Sequence, residues 1–71
     1  MQVTDFTHAA VGQYVTDRSR VMARYIETLN DEINRDGATA ESIRAVHEKA
    51  AAAMQKNLVS IADALRRNLE N

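Results

Sequence analysis

Between residues 5 and 69 the chain has one place to turn. Its 71 residues contain no proline, and of its two glycines only Gly37 sits among turn-forming neighbours, Asn34-Arg35-Asp36-Gly37-Ala38-Thr39. Glycine just past a helix end can take the left-handed conformation without a Cβ penalty. Thr39 is placed to cap a following helix by accepting from an unpaired amide two or three residues on, and Thr4 and Asp5 are placed to do the same for the preceding one. The sequence therefore predicts a single domain over residues 1–71: a helix over about 5–35, a turn at 36–39 and a helix over about 40–69. At 1.5 Å per residue each helix is about 45 Å long. Gly12 reads as a tolerated small residue inside the first helix rather than a break.

Hydrophobic periodicity supports this. In the first helix Val11, Val15, Met22, Ile26, Leu29 and Ile33 fall in one stripe at about 100° per residue. In the second, Ile43, Val46, Ala50, Met54, Ile61 and Leu65 form the stripe, flanked by Leu58 and Leu69. The short connection makes the helices antiparallel neighbours. The expected fold class is thus all-α, a two-helix antiparallel hairpin with coiled-coil-like packing. A turn centred near residue 37 sets Met22 against Met54, Ile26 against Ala50, Val15 against Ile61, Val11 against Leu65 and Ile33 against Ile43. The same register sets Arg18 opposite Asn57, a polar pair that would fix register within an apolar seam unless Arg18 snorkels outward along its stem.

A hairpin of this size has little core of its own, since a domain near 60 residues buries only about 60% of its unfolded surface. The chain has no cysteine to supply a disulfide or a thiolate metal site. Its apolar arc is also wider than one seam needs. Phe6, Tyr14, Val21 and Tyr25 extend it on the first helix, and Leu58 and Leu69 on the second. These six are the expected partner-binding residues, because surplus apolar surface marks another interface and tyrosine packs its ring while its hydroxyl stays wet. The expected partner is a second copy of the chain, another helical protein, or both.

Charge adds a polarity along the rod. Residues 25–50, the turn half, hold six acidic and three basic side chains; the open half holds six basic and four acidic. Such rods can stack end to end or pair antiparallel, although Arg44–Glu48, Asp31–Arg35 and Asp63–Arg67 also read as ordinary i,i+4 pairs. With nine Lys/Arg against ten Asp/Glu overall, the formal net charge is −1, and nothing draws the whole chain to nucleic acid or an anionic membrane. No apolar run approaches a membrane span, and Met1-Gln2-Val3-Thr4-Asp5 does not read as a cleavable signal.

Catalytic patterns are missing. His8 and His47 fall at opposite ends of the hairpin, Glu-x-x-His does not occur, and Ser19, Ser42 and Ser60 lack a nucleophile-elbow context. Neither glycine belongs to a phosphate-cradling loop. No catalytic, cofactor-binding or metal residue is assigned and no cofactor is expected. The alternative class is a small regulatory helical dimer, antitoxin-like or nucleic-acid-binding, using Arg18, Arg20, Arg24, Arg66 and Arg67; Asp17 and Asp63 dilute that basic end.

Two stretches resemble components of bacterial type III secretion. Leu58-Val59-Ser60-Ile61-Ala62-Asp63-Ala64-Leu65 looks like the final helix of needle subunits, helical hairpins that polymerise into a hollow filament, but the proline-containing turn of those subunits is absent. Arg35-Asp36-Gly37-Ala38 followed by Ile43, Val46 and Ala50 looks more like the needle co-chaperones, short hairpins that hold an unpolymerised needle subunit in the cytoplasm. The small secreted Trp-X-Gly hairpins fit less well, because Arg35 stands at the tryptophan position. The resemblance implies an assembly subunit or small chaperone, cytoplasmic or exported without a cleaved signal, and transfers no binding residue. From the residues themselves the expected function is a non-enzymatic helix–helix interaction module.

Overall fold

The computed structural model describes residues 3–70, with side chains for 6–70. It is an antiparallel hairpin of two helices, α1 (Val3–Ile33) and α2 (Ala40–Glu70), each 31 residues long. α1 already includes Thr4, and the capping expected of Thr4 and Asp5 falls on side chains outside the described residues. Among the described residues there is no strand, and no helix is long and apolar enough to cross a membrane. The rod measures 55 × 16 × 9 Å with a radius of gyration of 16.5 Å, against about 11 Å for a compact chain of this length.

α1 ends two residues earlier than expected. The Asn34 amide makes a last helical bond to the Asn30 carbonyl at 3.1 Å, but the Arg35 amide reaches back only three residues, to Glu32 at 3.1 Å. That tightening stops the helix, and the Asn34 side-chain amide also donates to the Asn30 carbonyl at 2.8 Å. Gly37, with φ at 84°, carries the left-handed step that returns the chain. Gly12 lies within α1, where an added Cβ would meet nothing within 4 Å.

The start of α2 is closed reciprocally. The Ser42 amide donates to the Thr39 hydroxyl at 3.0 Å, and the Thr39 amide donates to the Ser42 hydroxyl at 2.9 Å. This is a capping box with serine where glutamate is usual. The Ser42 hydroxyl also lies 2.8 Å from Glu32 Oε2, joining the first turn of α2 to the last turn of α1. Arg35 grips the same carboxylate through Nε at 3.0 Å and Nη2 at 2.8 Å. Arg35 therefore pairs with Glu32 rather than with Asp31, and Arg66 rather than Arg67 approaches Asp63, at 3.9 Å.

Glu32 links the turn to pH. The donors Arg35 and Ser42 hold its carboxyl below the ordinary value of 4.5. A depressed folded-state pKa contributes stability that is full above the ordinary value and is lost as pH falls through the depressed one. Thermal melts should therefore show Glu32→Gln less stable than the parent near about pH 7, with the gap narrowing as pH falls below the ordinary carboxylate range. An unchanged gap at acid pH would mean that the carboxylate charge is not what holds the turn.

Candidate helix–helix interface

The apolar seam is built from one side of α1 and the expected face of α2. Ala10 is the only buried residue among those described, 8% exposed. Phe6, Tyr14, Asp17, Val21, Tyr25, Leu29 and Glu32 are half-buried on α1, and Ile43, Val46, Ala50, Met54, Leu58, Ile61 and Leu65 on α2. The Tyr25 and His47 rings meet with centroids 5.9 Å apart, tilted by 53°. Tyr14 lies with Ala62, Leu65 and Leu69 around a shallow cleft near the open end.

Apart from Leu29, which is half-buried as expected of it, the two stripes of α1 exchange the places expected of them. Val11, Val15, Met22, Ile26 and Ile33, expected to face α2, are exposed, from 38% for Met22 to 63% for Ile26. The layers expected between these residues and Ile43, Ala50, Met54, Ile61 and Leu65 do not form. Phe6, Tyr14, Val21 and Tyr25, expected on the partner-facing flank, instead line the seam with α2. The helix-to-helix register itself is close to that expected, since Glu32 faces Ser42.

The reason lies in a one-residue offset. Ala10 is followed by Val11, Tyr14 by Val15, Val21 by Met22, Tyr25 by Ile26 and Glu32 by Ile33. Each step turns a side chain about 100° around the helix, so α1 carries two parallel stripes and periodicity alone ranks neither above the other. Shape separates them. The Tyr25 ring finds His47 on α2 and Tyr14 sits with Ala62, Leu65 and Leu69, pairings of large with smaller side chains that interdigitate. Rings also carry the larger apolar area into the seam.

Arg18 and Asn57 are both exposed. The same offset applies to this pair: α1 turns Asp17, not Arg18, toward the groove that Asn57 and Ser60 help to line. Of the remaining expected partner-binding residues, Leu58 is half-buried and Leu69 is 49% exposed.

On one face of the hairpin the helices leave an open groove of about 700 Å³. Val21, Val46, Ala50 and Met54 are among its apolar lining, and Asp17, Arg20, Arg24 and Lys49 supply charge of both signs. On the opposite side of the seam runs the exposed stripe of α1. Among the described residues no three His, Cys, Asp or Glu side chains gather to hold a metal ion. What the surface offers chemically is apolar contact along a rigid helix. Two features were missed at the level of sequence. One is the exposed α1 stripe as the free surface, for which the one-residue offset is the readable signal; the other is the Thr39–Ser42–Glu32 lock, foreshadowed by Thr39-x-x-Ser42.

Comparison of the chain with protein-family models, with curated proteins and with solved structures gives no match.

Proposed function

We propose that this chain is a non-enzymatic helix–helix interaction module, an assembly subunit or small adaptor whose exposed α1 stripe is covered by another helix. The observation that carries this reading is its surface. The hairpin exposes 5619 Å², whereas a folded monomer of 7.9 kDa exposes about 4,400 Å². The rod shape accounts for that excess of about 1,200 Å², and what marks a partner on the surface is five large apolar side chains in one line along α1. An aligned apolar strip of that kind is the mark of a helix-binding surface. The resemblance to secretion-system hairpins agrees with such a role and suggests a setting in the handling or assembly of a helical subunit.

The test is a photo-reactive side chain in place of Met22 on the exposed stripe, compared with one in place of Glu27 on the far side of α1, in the cells that make the protein. The expected result is protein adducts from position 22, with this chain or with another, and few from position 27. Equal labelling from both positions, or adducts with nucleic acid instead, would remove the reading.

A further inference from the structure

We propose that a second copy of this chain covers the α1 stripe, paired antiparallel across a two-fold axis at Met22; the proposal rests on the helix–helix reading above and names the partner. The stripe has a spacing that reads the same in both directions. From Val11 it runs through Val15, Arg18, Met22, Ile26 and Leu29 to Ile33, in steps of four, three, four, four, three and four; all of these are exposed except Leu29, which is half-buried. Turning the helix end for end about Met22 lays Val11 against Ile33, Val15 against Leu29, Arg18 against Ile26 and Met22 against itself. Each layer is apolar except the one holding Arg18, whose aliphatic stem covers Ile26 while its guanidinium reaches water. A two-fold interface requires this self-complementarity, in which residue i meets j and j meets i.

Two further observations agree. The angle between the seam and the stripe, about 100°, is the angle at which a helix in a four-helix bundle meets its two neighbours. Antiparallel pairing sets the acidic turn half, with a net charge of −3, beside the basic open half, with +2, of the other copy.

The chain has no cysteine, so orientation can be read from single-cysteine variants of the full protein. Sedimentation equilibrium across concentration should give a mass approaching twice 7.9 kDa. Under mild oxidation Met22→Cys should cross-link to itself. Val11→Cys alone and Ile33→Cys alone should not, but a mixture of the two should. A mass of 7.9 kDa at every concentration, open-ended growth into larger species, or self-cross-linking of Val11→Cys would each overturn the proposal. A monomeric mass together with protein adducts from position 22 removes only the second copy. A monomeric mass without adducts removes the helix–helix reading too.

Discussion

Met22→Asp is expected to abolish association while leaving the hairpin seam in place. Met22 is 38% exposed and lies one residue outside the seam. Within the single chain the change costs a helix-propensity difference and a little apolar contact, about 0.5–1 kcal/mol. In the pair it sets two carboxylates against each other at the symmetry axis. Each must be desolvated, at several kcal/mol, and like charges in contact add to that. A total of at least about 4 kcal/mol weakens association about 1,000-fold or more. Sedimentation should then report 7.9 kDa where the parent chain gives twice that mass. Its melting midpoint should fall and lose its dependence on concentration. Undiminished association would place the contact elsewhere.

Val21→Asp, one residue away, should fail in a different manner. Val21 is half-buried and shares the groove between the helices with Ala50 and Met54. The substitution removes about 1–2 kcal/mol of apolar burial and half-buries a carboxylate against the apolar lining of the groove. It also stands four residues from Asp17 on the same face, a like-charge spacing that adds a few tenths of a kcal/mol. The sum, about 3 kcal/mol, is large for a hairpin with one buried residue among those described. Far-UV circular dichroism should show helix content collapsing at every concentration, because the damage lies within one chain. Retained helicity would mean that α1 meets α2 through some other face.

The contrast between these neighbours marks the limit of what the sequence discloses. Two helices joined at Gly37 were legible because proline is absent and one segment alone concentrates turn formers. The face of α2 was legible because Val46, Ala50, Met54 and Ile61 form a single stripe there. α1 was different. Val21 and Met22, or Tyr25 and Ile26, are both apolar, so periodicity locates a broad arc and leaves open which half meets α2. That choice depends on the pairwise fit of Tyr25 with His47 and of Tyr14 with Ala62, Leu65 and Leu69, and periodicity within one helix carries no information about its neighbour. The same holds at the turn. Thr39 was readable as a cap from its position alone, whereas Ser42 reaching Glu32 across ten residues depends on the return path of the chain.

The role of the candidate surface follows from the same distinction. An apolar arc wider than one seam was visible from the outset. Its location was reversed, because the aromatic half of the arc turns inward and the aliphatic half is left on the outside. That aliphatic half has the regular spacing of a coiled-coil seam, which favours a helix as the covering element over an irregular segment.

The most direct measurement of this account is circular dichroism of Val21→Asp and Met22→Asp side by side, in the cold, at a concentration low enough for the parent chain to be monomeric. The account predicts that Met22→Asp keeps the helicity of the parent and Val21→Asp loses most of it. Equal helicity in the two variants, or a larger loss in Met22→Asp, would show that Val11, Val15, Met22 and Ile26 form the seam after all and would contradict the account.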